Sequence, residues 1–377
     1  MTPSSKNPAL AQARRTGGSA RQKPKTKADT KRIPPNRGSA ITGWATCLPP
    51  TVVTNNDLSR YLDTSDSWIQ DRTGIRERRV AYGPFAPRPA DPSVWTSPPG
   101  GIGTTASMAI EAARKALAMA HLGPEDIDLL ILCTTTPDQT VPATSSVVQG
   151  ALGLHCAAFD LNAACAGVVY GLVTAANFIL GGAHRVLLVG SETLTRIVDW
   201  TDRETAVLFG DGAGAVVVEE VPGESSLLGW DVGVDGTLQT ILYCDLGGYL
   251  RMVGKEVFRR AVRATVESSQ AAMERAKVTP EDIALFVPHQ ANSRIIEAAC
   301  HRLEIPMERA AIVLDRTGNT SSASILLALS EALDQGRVND GDIILMSGFG
   351  AGMTWASAVW RWSSDPFRLE GDQPIEA

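Results

Sequence analysis

The chain has 377 residues, 35 of them Lys or Arg and 41 Asp or Glu, with 44% hydrophobic and 20% charged residues. That length exceeds one ordinary hydrophobic core and suggests two domains, while the composition excludes wholesale disorder. A net charge of -6 gives no global attraction to nucleic acid or to anionic membranes.

The charge is unevenly spread. Residues 1–37 hold ten Lys or Arg against Asp29 alone, so the remainder carries 25 basic and 40 acidic residues. Rich in Ser, Thr, Pro and Gly, this stretch buries too little apolar surface to offset its ordering entropy, and residues 1–39 are expected to form a disordered basic tail. A transit peptide would also be basic and acid-poor, but the amphipathic periodicity is missing, as is the apolar core of a secretory signal. Cys47, Cys133, Cys156, Cys165, Cys244 and Cys300 show no CxxC pair and no His at metal spacing. They read as reduced, mostly buried thiols of a cytoplasmic protein without a structural metal.

Along the chain, Ala106–Leu122 has the period of an amphipathic helix and leads through Gly123-Pro124-Glu125-Asp126 into the apolar run IDLLILCTTT. Residues 161–183 carry no charge and have the length of a bilayer span. Asn162, Thr174, Asn177 and several glycines dilute them, and the strand pattern RVLLVG follows, so a buried central helix is the better account. GDGAG at 210–214 lacks the GxxxxGK[ST] spacing of a phosphate loop and precedes a strand pattern, which favours a tight turn.

The chain then repeats itself. Ala261–Val278 is again helical and leads through Thr279-Pro280-Glu281-Asp282 into IALFVPHQA, 156 residues after the first copy. Asp315-Arg316-Thr317-Gly318-Asn319 precedes a second apolar helix pattern and the strand pattern DIILMSGFG, as Asp160–Cys165 precedes the first. Two copies of a helix-strand-helix-strand unit predict an α/β fold of two pseudo-twofold-related halves, at 40–222 and 223–377. Functional groups in such folds gather at strand ends and helix starts.

Those positions hold Cys165, His289 and Asn319. A Cys at a helix start is expected to have a depressed pKa and to serve as a nucleophile, against the alternative of a small packing residue. His289 ends an apolar strand pattern, where a structural His is the alternative. Asn319 opens the second apolar helix, where it would suit an N-cap. Cys, His and Asn in that order also fit a papain-like protease, but the CGSCW signature is absent and the duplication does not suit that fold.

Asp66-Ser67-Trp68-Ile69, Arg72-Thr73-Gly74-Ile75, NAACAG around Cys165, Thr201-Asp202-Arg203, GDGAGAVV, GKEVF, PHQANSR, TGNTSSAS and GFGAGMTW occur in this order. Over roughly residues 40–365 the sequence resembles the β-ketoacyl-acyl-carrier-protein synthase III family of the thiolase-like superfamily. The resemblance implies a five-layered thiolase-like fold, a homodimer whose tunnel borrows from the neighbouring subunit, and a decarboxylative Claisen condensation of acyl-coenzyme A with malonyl-acyl carrier protein. Coenzyme A is there a substrate thioester, and no metal or redox cofactor is implied. Cys165 would carry the acyl group, with His289 and Asn319 as donors to the enolate. Gly350, Ala351 and Gly352 would form the turn that serves the second oxyanion.

By the same resemblance Trp68, Arg72, Arg203 and Gly254 contact coenzyme A. Arg259, Gln290, Ala291, Asn292, Ser293, Arg294 and Arg302 would meet the acidic carrier protein, and Val141 would border the acyl pocket. Residues 82–103 form a Pro/Gly-rich insertion with six prolines, and the segment 235–252 is shorter than in relatives. Both differences leave the acyl donor open. A starter-unit synthase or acyltransferase of specialised metabolism is the alternative enzyme. A non-catalytic partner subunit is the alternative class, and such a subunit would be expected to lose Cys165 or its helpers.

Overall fold

The computed structural model describes residues 37–81, 102–363 and 366–367. The expected basic tail up to residue 36 and most of the insertion, 82–101, lie outside the described residues. Residues 37–39, assigned above to the tail, instead begin a strand.

The first half runs through β1 (Arg37–Cys47), β2 (Thr51–Thr54), α1 (Asn55–Leu58), α2 (Asp66–Thr73) and β3 (Glu77–Val80). It continues with α3 (Thr105–Met119), β4 (Leu129–Cys133), α4 (Thr144–Leu152), β5 (Ala157–Leu161) and α5 (Gly167–Leu180). Then come β6 (Arg185–Thr193), α6 (Arg203–Ala206) and β7 (Asp211–Pro222). The second half has β8 (Leu227–Val234), β9 (Leu242–Cys244), β10 (Leu250–Met252), α7 (Gly254–Ala276), β11 (Ile283–Pro288) and α8 (Ser293–Leu303). It ends with α9 (Leu314–Thr317), α10 (Ser324–Asp334), β12 (Ile343–Gly350) and β13 (Thr354–Arg361).

The strands form a five-stranded sheet, β1-β7-β6-β4-β5, and a four-stranded sheet, β11-β12-β13-β8. In the first, β4 is parallel to β5 and β6, while β7 is antiparallel to β6 and β1. In the second, β11 is parallel to β12 and the remaining pairs are antiparallel. The second half has the same order with no named strand at the place of β5. There the bridge Phe286–Ala310 and the bond from Ala311 N–H to the Phe286 carbonyl (2.8 Å) hold the chain beside β11. The duplication read from the sequence is thus a duplication of topology.

Alternation along the strands builds the layers. Leu130 and Leu132 of β4 face α3 in one core, whereas Leu129, Ile131 and Cys133 face α5 and α10 in another. That second core also takes Leu285 and Val287 of β11 and Ile344 and Met346 of β12, so α5 and α10 lie between the two sheets. Helices α7 and α8 cover the outer face of the second sheet. The order helix, sheet, helix pair, sheet, helix is the five-layered arrangement expected.

The charge-free segment is helix α5, and no helix among the described residues is long and apolar enough to cross a membrane. GDGAG is not a tight turn, since Asp211 to Gly214 belong to β7. The reason is packing. A Cβ on Gly214 would stand 2.5 Å from Cβ of Leu326 in α10, so the glycine lets the central helix approach the sheet. Replacing Gly214 by Ala is expected to cost about 1–3 kcal/mol of stability through overpacking, measured as a lowered denaturation midpoint. An unchanged midpoint would show that the spacing between α10 and β7 is slack.

Candidate active site

A cavity of about 1410 Å³ is lined by Cys165, His289 and Asn319 together, although 154 residues separate the first from the last in the chain. Cys165 and His289 stand beyond strands β5 and β11, and Asn319 follows the short helix α9 ahead of α10.

Cys165 lies between β5 and α5, two residues ahead of the helix. The turn is forced at Ala164, whose φ of 48° is costly for a residue with a Cβ and is held by its N–H to Asn162 Oδ1 (3.2 Å). Opposite stands Gly350, where a Cβ would come within 2.5 Å of the Cys165 nitrogen. Only glycine lets these two backbones meet. The expected thiolate is corrected here: burial is the dominant influence and pushes the Cys165 thiol up to about 12, against a hydrogen bond from Ser321 that lowers it. That balance favours the thiol over the thiolate at Cys165.

His289 follows β11 and is almost fully buried, its N–H bonded to the Ser347 carbonyl (2.8 Å). Its ring meets Phe349 edge-on with centroids 5.2 Å apart, and Nδ1 lies 2.7 Å from Ser324 Oγ. Burial drives the imidazole pKa down to about 3, so the ring is neutral near pH 7.

Asn319 is held by backbone bonds on both sides: its N–H donates to Leu208 (2.8 Å) and its carbonyl accepts from Gly210 N–H (3.0 Å). It does not cap the second central helix, which starts at Ser324 after a short turn at Ser321–Ala323. Instead its Oδ1 accepts from Ser321 N–H at 2.8 Å. That bond fixes which end of the amide is the oxygen and leaves Nδ2–H as the donor end.

The same cavity is also lined by Gly350, Ala351 and Gly352, together with Gly254 at the start of α7. Trp68 and Arg72 also line it, with the Arg72 guanidinium 4.4 Å from the Trp68 ring centre. The Arg203 guanidinium lies 4.8 Å from the same ring and donates to the Asp63 carbonyl (2.7 Å). These three side chains form one cation–aromatic cluster.

Two expected site residues are misplaced. Gln290 is fully buried, with Nε2 donating to the Pro288 and Ala311 carbonyls and Oε1 accepting from Val313 and Leu314 N–H. It fastens the core and presents nothing to a partner. Val141 is 81% exposed and does not border this chain's cavity.

Ala291, Asn292 and Arg294 lie on the cavity wall, and Asn292 caps α8 while donating to the Arg72 carbonyl (2.9 Å). Ser293 is the first residue of α8. Arg259 is exposed and paired with Glu256 (2.7 Å), and Arg302 is exposed in the last turn of α8. Cys244 departs from the packing role expected of the other cysteines, being exposed on β9 and lining the cavity.

Sequence reasoning missed Ser321, Ser324 and Glu192. The run of hydroxyls in TGNTSSAS and an acid closing the apolar run RVLLVGSE were the available signals.

A central layer of two helices between mixed sheets, with Cys165 and Asn319 ahead of those helices and His289 at a strand end, defines a thiolase-like condensing enzyme. The family model of 3-oxoacyl-[acyl-carrier-protein] synthase III matches residues 159–236, and its C-terminal counterpart matches 273–362. A curated relative from Roseiflexus sp. (strain RS-1), named beta-ketoacyl-[acyl-carrier-protein] synthase III, is 46% identical over 343 residues, covering 86% of this chain and 99% of its own. The crystal structure of 3-oxoacyl-[acyl-carrier-protein] synthase III from Aquifex aeolicus VF5 superposes with a TM-score of 0.79 at 43% identity, covering 86% of this chain and all of that one. The priming beta-ketosynthase from the R1128 polyketide biosynthetic pathway superposes at 0.78 with 37% identity, covering 89% and 99%. The chain belongs to the β-ketoacyl-acyl-carrier-protein synthase III family.

The depressed His289 pKa has a consequence for stability. Below the ordinary value of 6.5 the unfolded chain takes up a proton that the folded protein refuses, so stability falls with pH between about 6.5 and 3. Between pH 7.5 and 5.5 the native protein is expected to lose about 1.4 kcal/mol more than a His289→Asn variant. Equal losses in denaturant titrations would show that His289 charges in the folded state.

Proposed function

We propose that the chain condenses an acyl-coenzyme A primer with malonyl-acyl carrier protein, giving β-ketoacyl-acyl carrier protein, carbon dioxide and free coenzyme A. The observation that carries this is one cavity lined by a thiol and two neutral donors, His289 and Asn319, together with the Gly350–Gly352 turn.

Cys165 Sγ attacks the acyl thioester carbonyl, the acyl–sulfur bond to coenzyme A breaks, and the Cys165 proton leaves with the coenzyme A thiol. The carbonyl oxygen gains charge as this happens and is met by backbone N–H groups of Cys165 and the Gly350–Gly352 turn. In the second half-reaction the malonyl C–C bond to its carboxylate breaks and the electron pair moves onto the thioester oxygen. His289 Nε2–H and Asn319 Nδ2–H donate to that oxygen. The tautomer this requires has Ser324 donating to His289 Nδ1, and Ser324 Oγ already accepts from Gln290 N–H at 3.3 Å. The enolate carbon then attacks the acyl-Cys165 carbonyl, and the departing sulfur takes up a proton.

A neutral His289 suits this role, because it strengthens its bond only as charge appears on the substrate. The driving force is loss of carbon dioxide, so the chemistry calls for no redox cofactor. For the adenine end of coenzyme A, the Trp68 face and the guanidiniums of Arg72 and Arg203 offer stacking and phosphate pairing. Arg294 at the cavity wall and exposed Arg259 and Arg302 supply local positive charge for an acidic carrier protein.

A cytoplasmic homodimer is part of the same proposal. Strand β5 is the outer strand of its sheet, and exposed Phe178 and Leu180 lie on α5, with the Phe178 ring 6.3 Å from Phe159 of β5. An open edge beside apolar side chains favours pairing with a second copy. The exposure of Val141, next to the cavity-lining Gln139 and Thr140, supports a role for it at the tunnel of a neighbouring copy. The likeness to a priming ketosynthase supports a second reading, supply of starter units to polyketide synthesis.

Mass spectrometry with acetyl, isobutyryl and octanoyl coenzyme A tests the reaction. One acyl group is expected on wild-type protein and none on Cys165→Ala. His289→Ala and Asn319→Ala are expected to keep acylation and lose about 10²-fold or more in malonyl decarboxylation. Absence of acylation with every donor would overturn the reading. Sedimentation at micromolar concentration is expected to give twice the 40.0 kDa chain mass, and a monomer would refute the dimer.

A further inference from the structure

Glu192 closes β6 with no exposed surface, and no step above uses it. Its carboxylate gathers donors from both halves of the protein. From the segment after β4 it accepts the N–H groups of Thr135 (3.0 Å) and Thr136 (3.1 Å). The same segment gives it the hydroxyls of Thr134 (3.2 Å), Thr135 (3.1 Å) and Thr136 (2.5 Å). From the turn ahead of α10 it accepts Ser322 Oγ–H at 2.8 Å and Ser322 N–H at 3.4 Å. Ser322 Oγ also lies 2.9 Å from the Cys133 carbonyl at the end of β4.

A buried carboxylate is expensive unless its lone pairs are filled, and here they are filled by segments that border the cavity. The Ser322 end matters most. Ser322 adjoins Ser321, whose N–H holds Asn319 Oδ1 and whose hydroxyl interacts with Cys165. The turn is tight: Ser321 has a φ of 48°, and a Cβ on Gly190 would stand 2.9 Å from the Ser322 carbonyl oxygen. A shift at Ser322 therefore has to pass to the Asn319 amide.

We propose that Glu192 is a positioning residue, its clamp on Ser322 holding the Asn319 amide in register with Cys165 across the two halves. It touches no substrate and acts through Ser322 and Ser321. The consequence is selective. The Cys165 backbone is seated separately, by Ala164 and Gly350, although its thiol meets the Ser321 hydroxyl and feels the Glu192 charge, so acylation depends on the clamp less than decarboxylation does. Decarboxylation needs it, because the Asn319 donor is useful only where the enolate oxygen forms.

The inference rests on the condensation proposed above, and the two half-reactions separate the two ideas. Wild-type protein that takes up an acyl group and decarboxylates malonyl carrier secures the condensation whatever the variants do. Ser322→Ala removes the clamp hydroxyl while leaving the carboxylate its Thr134–Thr136 donors. It is expected to lose about 10-fold or more in the kcat of decarboxylation, as misplaced oxyanion donors do, with acylation within about 2-fold of wild type. The KM for acyl-coenzyme A is expected to stay unchanged. Glu192→Gln turns an acceptor into an amide N–H facing other donors and is expected to show the same split more strongly. Should it fail to fold, Ser322→Ala decides alone. Decarboxylation by Ser322→Ala within about 2-fold of wild type, or a proportional fall in both half-reactions, would overturn the proposal.

Discussion

Everything at the site depends on two apolar helices, α5 and α10, being packed between two sheets. Their shared core draws side chains from β4 and β6 on one side and from β11 and β12 on the other. Burial of that many apolar groups is the main favourable term in such a fold. It also fixes where the helix starts meet. Gly190, Gly171 and Gly214 let helix and sheet backbones come closer than a Cβ would permit. A cysteine before one helix and an asparagine before the other are thereby brought to a common cavity, joined by a histidine at a strand end.

The same burial sets the electrostatics. The Cys165 thiol is pushed up and the His289 imidazole pushed down by one cause, removal from water. Both groups are consequently favoured as neutral, in a site whose proposed chemistry creates negative charge twice. Fixed donors are worth most in such surroundings because the cost of orienting them is met by folding. Asn319 shows how: its oxygen is spent on Ser321 N–H, and its backbone is gripped by Leu208 and Gly210. What remains to face the cavity is the donor.

Much of this was legible in the chain. The repeat of helix, acidic turn and strand at an offset of 156 residues announced two related halves. The positions of Cys165, His289 and Asn319 at equivalent strand and helix boundaries marked the site. Motifs from Trp68 to GFGAGMTW pointed to the family. Other expectations failed for a common reason. The depressed Cys165 pKa follows from a helix start considered alone, and it ignores the desolvation that the whole cavity wall imposes. Gln290 sits in a motif beside an exposed helix start, but its amide turns inward to four backbone partners. The glycines of GDGAG suggest a turn, whereas they serve close contact within a strand.

The sequence by itself determined the layers, the duplication and the three side chains proposed to react, because periodicity and local residue type encode them. Only the tertiary structure decided their protonation, the orientation of the Asn319 amide, and the link from Glu192 to Ser322. The His289–Ser324 pair and the Glu192–Ser322 clamp join groups 35 and 130 residues apart, and the turn in which Ser321 fixes the Asn319 amide is held by that clamp. No local pattern records such distances: burial and hydrogen-bond geometry exist only after both halves have closed on the central helices.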